Sequence, residues 1–268
     1  MTTFHIGCAG WSYVEWKQAG FYPQHLPSPQ FLSYYSRYFD FVELNNSFYQ
    51  IPSQNAIKSW DASTPDNFSF SIKIWQKISH QFRDYHQLET TCRQFFHVFY
   101  PLKAKISGFL LQFPPKFKFS SPNRKKLHQI QTVFPKWGHY FLELRHDSWY
   151  DPDIIVDLIS PSNFSLVTNY VPYSEPKYDY SQKIQYIRMI GDRSLTHFDH
   201  TQRPQKSTMN ELFTHLHDMK QIPRIEDIFV IFNNHFRGFA PHDVNELKKH
   251  LNISFRSFQK NKTINDFL

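Results

Sequence analysis

The sequence repeats one local pattern, in which a short run of apolar residues turns polar at its carboxyl-terminal end. The pattern occurs as FVELNN (41–46), FSIKIW (70–75), FLLQFP (109–114), YFLELRHDSW (140–149), YIRMIG (186–191) and FVIFNN (229–234). Short, nearly continuous apolar runs are typical of strands that are buried on both faces of a parallel sheet. Because alternate side chains of a strand share a face, Glu143 and Arg145 should point to the same side. That side is either a functional mouth or a buried ion pair.

The order of elements predicts an α/β fold with parallel strands. Eight strands are predicted, at residues 4–10, 41–45, 68–75, 108–113, 140–145, 164–169, 184–190 and 228–233. Helical segments are predicted at residues 30–38, 53–60, 88–102, 122–134, 207–222 and 241–251. This alternation favours a single (β/α)8 TIM-type barrel over residues 1–268, with a short irregular crossover between strands six and seven. An open doubly wound sheet is the alternative, but no GxGxxG motif follows strand one.

Four helix starts are predicted from capping residues. Ser28 with Pro29, and Asp151 with Pro152, pair an N-cap residue with a proline at the first helical position. Ser53 and Ser121 are the predicted N-caps of the helices that follow them.

The composition favours a soluble protein with an anionic partner. The chain has 30 Lys and Arg against 23 Asp and Glu, a formal charge of +7, and 40% hydrophobic residues. Such a charge makes nucleic acid one candidate partner, although scattered basic residues give the same total. The two cysteines, Cys8 and Cys92, indicate neither a disulfide framework nor a structural zinc site and fit a reduced, cytoplasmic setting. No leader peptide or membrane segment is predicted.

Several segments resemble a known family. They are IGCAGWSYVEW (6–16), FYP (21–23), FDFVELNNSFYQIPS (39–53), LLQFPPKF (110–117), LELRHDSW (142–149) and FNNHFRGFAP (232–241). Together they resemble the YecE-like family (DUF72), and the resemblance covers essentially the whole chain in the family's order. It implies a TIM barrel but no established reaction. The chain departs from the family's pattern at Ile190, where His is frequent, and at Asn169, where an acid is common.

In a TIM barrel the polar strand ends surround one mouth, which is where active sites lie. The predicted catalytic residues at this mouth are Glu43, Lys73, Glu143 and Arg145. The predicted substrate-binding residues are Trp11, Tyr13, Asn45, Tyr49, His80, Gln112, His146, Trp149, Arg188, Asn233 and Asn234. Arginines suit a carboxylate or phosphate, lysine supplies a point charge, and a glutamate can move a proton. The sequence therefore predicts an enzyme for a small anionic substrate.

The same residues allow other interpretations. Two carboxylates against Lys73, Arg145 and Arg188 leave a local charge of +1, which favours an anion over a divalent metal. The 15 histidines include no HExxH motif, so a metal is the less favoured cofactor and no other cofactor is indicated. A structural interpretation treats the set as ion pairs that only neutralise one another. Two further alternatives are a nucleic-acid-binding or processing protein resembling endonuclease-IV-like barrels, and a ligand-sensing scaffold without catalysis.

Overall fold

Eight parallel strands close into a barrel in chain order. The computed structural model describes residues 2–81, 83–159 and 163–258. The strands are β1 (Thr3–Ala9), β2 (Phe41–Leu44), β3 (Ser69–Lys73), β4 (Ile106–Gln112), β5 (Tyr140–Glu143), β6 (Phe164–Tyr170), β7 (Ile184–Met189) and β8 (Asp227–Phe232). Each strand pairs in parallel with the next, and β8 pairs with β1. The predicted TIM-type barrel is confirmed.

Helices surround the barrel. Those in the described residues are α1 (Phe31–Tyr35), α2 (Gln54–Ala62), α3 (Gln76–Ser79), α4 (Tyr85–Phe99), α5 (Ser121–Val133), α6 (Pro152–Ile159), α7 (Lys206–Lys220), α8 (Asn234–Arg237) and α9 (Ala240–His250). Residues 171–183 connect β6 to β7 without a helix, as predicted. None of the helices in the described ranges has both the length and the apolar character needed to cross a bilayer.

Two of the predicted helix starts differ from the structure. Residues 28–30 form a single 3-10 turn, and α1 has only five residues. Ser28 is therefore not the N-cap of a long helix. The N-cap of α5 is Ser120, whose side chain accepts a hydrogen bond from the Asn123 amide at 3.3 Å, so the prediction of Ser121 was wrong by one residue.

The other two helix starts are confirmed. Ser53 Oγ accepts from the Ala56 amide at 3.2 Å, and Asp151 Oδ1 accepts from the Asp153 amide at 3.0 Å. In both cases a short polar side chain supplies an acceptor for an amide that has no partner within the helix.

The barrel interior is filled by inward-facing side chains. They are Ala9, Phe41, Leu110, Phe141, Val167, Tyr186, Phe229 and Ile231, all buried. The rings of Phe141 and Tyr186 stack with centroids 4.0 Å apart. A second, larger apolar cluster fills the layer between the strands and the helices. Apolar packing closes the lumen, so the polar strand ends form a floor and not the lining of a pore.

The β1–β2 seam is joined partly by a side chain. Its register comprises two residue pairs, Cys8 with Val42 and Ala9 with Glu43, whereas β1 and β8 pair at six positions. Beside these pairs, the Tyr35 hydroxyl accepts from the Cys8 amide and donates to the Phe41 carbonyl, both at 2.9 Å. A Cβ at Gly7 would lie 2.1 Å from that same carbonyl oxygen. The strands therefore approach closely here because residue 7 has no side chain.

Candidate active site

Four charged side chains meet at the carboxyl ends of four strands. The last inward-facing residues of three strands are Glu43 on β2, Lys73 on β3 and Glu143 on β5. Arg188 faces inward from β7. Each is at most 7% exposed. Side-chain alternation places them above the apolar plug of the lumen, at the end where TIM barrels carry their sites.

Arg188 is held by both carboxylates. Its Nε and one terminal nitrogen donate to the two oxygens of Glu43 at 2.8 and 2.7 Å. Its other terminal nitrogen donates to Glu143. Burial alone would lower the pKa of Arg188, but the negative charges of Glu143 and Glu43 raise it above its ordinary value. The guanidinium is therefore permanently charged, and each of its three nitrogens already has a carboxylate partner.

Arg145 extends the network towards solvent. Its Nε donates to Glu143 Oε1 at 2.5 Å, and a terminal nitrogen donates to the Tyr173 hydroxyl at 3.3 Å. Burial would raise the pKa of Glu143, but Arg145, Arg188 and Lys73 together lower it from 4.5 to about 2. Glu143 is thus a carboxylate at every physiological pH.

Lys73 differs from the two arginines because no carboxylate contacts it. Among the described residues, no acidic oxygen lies within 4 Å of its Nζ, which sits 4.5 Å from the centroid of the Phe48 ring. Burial and the positive charge of Arg188 lower the pKa of Lys73 from 10.5 to about 8, despite the opposing effect of Glu143 and Glu43. Lys73 therefore gains and loses its proton at a pH close to neutral.

His80 lies beside this lysine and carries no charge at pH 7. Its Nδ1 lies 2.6 Å from Ser79 Oγ, and its ring meets the Phe48 ring edge-on at 5.3 Å. Burial and the positive charge of Lys73 lower the pKa of His80 from 6.5 to about 4.

A cavity of about 220 Å³ opens beside the cluster. Three predicted binding residues, Trp11, Tyr13 and Asn45, are among those that line it. Asn45 joins the cavity to the charged cluster, because its amide donates to Glu43 Oε1 at 2.9 Å. The Tyr13 hydroxyl donates to the Ala9 carbonyl at 2.9 Å, which fixes the cavity wall to the end of β1.

Comparison with known proteins defines the family. The family model described as "Protein of unknown function DUF72" matches residues 5–266. The chain belongs to the DUF72 family. The UPF0759 protein YunF of Bacillus subtilis (strain 168) is 24% identical over an alignment of length 281, which spans 94% of this chain and 95% of YunF. The UPF0759 protein YecE of Escherichia coli (strain K12) is 27% identical over 146 residues, covering 54% of this chain and 50% of YecE.

Solved DUF72 structures share the fold. A DUF72 family protein from Thermotoga maritima MSB8 superposes with a TM-score of 0.77 and 25% identity over 93% of this chain and 99% of the other. A DUF72 family protein from Enterococcus faecalis V583 superposes with a TM-score of 0.73 and 23% identity over 95% of this chain and 99% of the other.

The remaining predicted site residues of this DUF72 chain are spread more widely. Gln112 is buried next to Glu143 in the β4–β5 register, and His146 is half-buried with its Nδ1 2.8 Å from Ser148 Oγ. Tyr49 is 68% exposed and lines a separate cavity of about 480 Å³. None of these three side chains has a hydrogen bond or ion pair with the charged groups of the cluster in the described structure.

Three predicted binding residues have structural contacts instead. Trp149 is fully buried, and its Nε1 donates to the Phe117 carbonyl at 2.6 Å. Asn233 caps α8 through the His235 amide. Asn234 is 2% exposed, and its Oδ1 accepts from Trp16 Nε1 at 3.3 Å and from the Ala240 amide at 3.0 Å.

Three further residues at the mouth, Tyr186, Asn169 and Tyr173, were not among the predicted site residues. The Tyr186 hydroxyl donates to Glu43 Oε2 at 2.9 Å and lies 2.5 Å from Ser71 Oγ. Alternation along β7 puts Tyr186 on the same face as Arg188, so its position could have been found. Asn169 has a buried Oδ1 to which none of the described residues donates a hydrogen bond. Tyr173 lies in the irregular crossover, where no periodic pattern indicates direction.

One group of three potential metal ligands occurs in the described part of the chain, and it is not at the mouth. His242, Asp243 and Glu246 lie on α9, within 4.8 Å of one another. Arg237 already supplies a cation there, because it donates to Glu246 at 2.7 Å and its Nε lies 3.4 Å from Asp243. The arrangement is that of an ion-pair network.

Proposed function

We propose that this DUF72 protein is an enzyme that binds a small carboxylate- or phosphate-bearing molecule at the barrel mouth. Lys73 and Arg145 face the anion, and Lys73 transfers a proton during the reaction. The observation that supports this proposal is the position of the surplus positive charge. Two carboxylates and three cations leave +1, and the cation without a carboxylate partner is Lys73.

The distribution of contacts favours an anion over a bare metal ion. Both carboxylates already hold Arg188, so neither is free to ligate a metal without breaking a buried ion pair. An incoming carboxylate or phosphate would instead compensate the charge on Lys73. It would also accept from Arg145, whose terminal nitrogens have, among the described residues, only the exposed Tyr173 hydroxyl as partner.

We assign the two glutamates positioning roles in place of the catalytic roles predicted from the sequence. A carboxylate with a pKa of about 2 is a weak base near neutrality, so we assign Glu143 to positioning Arg145 and Arg188. Glu43 has the same role towards Arg188. Lys73, whose pKa is about 8, is the group matched to proton transfer at physiological pH.

A thermal-shift panel tests this proposal. Phosphate, sugar phosphates, carboxylates, divalent metal ions and short DNA are added to wild type, Arg145→Ala and Lys73→Met. A ligand at about 100 times its Kd adds roughly 2.7 kcal/mol to the free energy of unfolding. We expect small anions to raise the melting temperature of wild type and to lose most of that effect in both variants. Arg93→Ala, which removes an exposed arginine paired only with Glu89, is the control and should keep the full shift.

Each other outcome has a definite meaning. A shift with a divalent metal but no anion would contradict the charge argument. Stabilisation by DNA alone, falling steeply with salt, would favour nucleic acid, for which the overall charge of +7 is the present support. Anion binding without turnover of any bound molecule would indicate a ligand sensor.

A further inference from the structure

We infer that Lys73 is the nucleophile of a covalent step, in which it condenses with the carbonyl group of an anionic aldehyde or ketone to form an iminium ion. The inference rests on the proposed function, because it uses the same mouth and the same anionic ligand. It adds the class of substrate and the bond that forms.

Comparison with the other buried lysines identifies Lys73 as unusual. In the described ranges the buried lysines are Lys73, Lys105 and Lys248, which are 6 to 8% exposed. Lys105 donates to the carbonyls of Asp61 and Thr64 at 2.8 and 2.9 Å and pairs with the Asp61 carboxylate. Lys248 lies 3.6 Å from the Asp40 carboxylate.

Lys73 has none of these contacts. The described structure gives its Nζ only the face of Phe48, although burying an ammonium is costly unless it is paired. A structural lysine would be expected to have partners like those of Lys105. A lysine that must release its proton and attack a carbon must instead keep its nitrogen unoccupied.

The neighbouring charges support the neutral amine. Arg188 is fixed close to Lys73 by two carboxylates and disfavours a second positive charge. With a pKa of about 8, the neutral fraction of Lys73 at pH 7.5 is roughly 200-fold that of an ordinary lysine. A desolvated lysine beside another cation is a recognised form of activated amine nucleophile.

The step balances in atoms and charge. Lys73 first releases one proton to solvent, and that proton later returns to the carbonyl oxygen. The lone pair of the neutral amine then forms a bond to the carbonyl carbon, and the carbonyl π electrons move to oxygen. The oxygen then leaves as water with two protons that come from the lysine ammonium. One lysine ammonium and one carbonyl compound thus give one iminium ion, which keeps a single proton on its nitrogen, and one molecule of water. The positive charge is on Nζ before the step, as the ammonium, and after it, as the iminium, so the anionic part of the substrate is compensated in both of these states.

Reductive trapping tests the inference. The full-length protein is incubated with glyoxylate and sodium cyanoborohydride, which delivers hydride to an iminium carbon and leaves a stable secondary amine. Peptide mapping by mass spectrometry then gives the modification rate at each lysine. We expect Lys73 to react at least about tenfold faster than the exposed Lys58, because its neutral fraction is larger. Lys105, equally buried but paired, should stay unmodified.

Two controls separate charge from covalent reactivity. Lys73→Arg keeps the positive charge, so it should retain anion stabilisation in the thermal-shift panel while losing the adduct at position 73. Acetaldehyde replaces glyoxylate as the uncharged carbonyl compound. The ratio of modification at Lys73 to that at Lys58 should be several-fold lower with acetaldehyde.

The outcomes distinguish this inference from the proposed function. If small anions stabilise wild type but Lys73 reacts no faster than Lys58, the covalent step is overturned and anion binding stands. If the ratio is the same for glyoxylate and acetaldehyde, the anionic class of substrate is overturned. If neither stabilisation nor a Lys73 adduct appears, both ideas fail.

Discussion

At the scale of single residues, the mouth depends on a small number of charged side chains that are largely buried. Glu143 is fully buried between Arg145 and Arg188, so each proton or charge removed there leaves another group uncompensated. Most members of this set could be predicted, because charged residues at the ends of apolar strands are rare and alternation gives their direction. Their partners could not, since the pairing of Glu43 with Arg188 depends on distances across the barrel between residues 145 positions apart.

The ionisation of Glu143 makes stability depend on pH. Its pKa is about 2 in the fold against an ordinary 4.5, so below pH 4.5 the unfolded state binds more protons and the fold loses stability as pH falls. The free energy of unfolding of wild type, measured relative to that of Glu143→Gln, should therefore fall by about 2 kcal/mol between pH 7 and pH 3. Urea unfolding of both proteins across this range provides the measurement. For Glu89→Gln, at an exposed helix position, the difference in unfolding free energy from wild type should change much less with pH. If the difference for Glu143→Gln stayed constant between pH 7 and pH 3, the burial argument would be contradicted.

At the scale of elements, type and order were predictable but ends were less so. The strands were found because their apolar runs are separated by turn and capping residues, and strand bounds differ from the prediction by two residues or fewer. Helix starts depend on which of two neighbouring side chains reaches a free amide. Sequence alone does not distinguish Ser120 from Ser121, and a difference of one residue decides the hydrogen bond.

This one-residue difference predicts unequal effects of two similar substitutions. Ser120→Ala should lower the free energy of unfolding by about 1 kcal/mol, because the Asn123 amide loses its acceptor. Ser121→Ala is the matched control and should be within about 0.5 kcal/mol of wild type. Chemical denaturation of the two variants distinguishes them. Equal losses would mean that the cap is not the stabilising contact.

At the scale of the whole molecule, closure of the barrel joins the first strand to the last and to the second by different means. The β1–β8 pairing is a regular ladder that apolar patterning predicts. The β1–β2 seam requires the hydroxyl of Tyr35, and nothing in the local sequence of α1 indicates that this tyrosine reaches between two strands.

The contacts at the β1–β2 seam predict that stability depends on a single oxygen atom, the hydroxyl oxygen of Tyr35. Tyr35→Phe should destabilise the protein by about 2 kcal/mol or more, because the buried Cys8 amide and Phe41 carbonyl both lose their partner. Tyr34→Phe offers a close control, since among the described residues the Tyr34 hydroxyl has only the Tyr38 hydroxyl as a hydrogen-bond partner, in a partly exposed position. Equilibrium unfolding measures both. A loss at Tyr35 no larger than that at Tyr34 would show that water replaces the hydroxyl at the seam.

The Tyr35 hydroxyl also makes the hydrogen exchange of an amide in β1 depend on α1, a helix outside the barrel. In an ordinary strand an amide exchanges with deuterated solvent when its ladder opens. The Cys8 amide is protected instead by a side chain carried on α1, so undocking of α1 deprotects it while the neighbouring strand pairs stay closed. The exchange of one amide proton near the carboxyl end of β1 thus reports how often α1 undocks from the barrel.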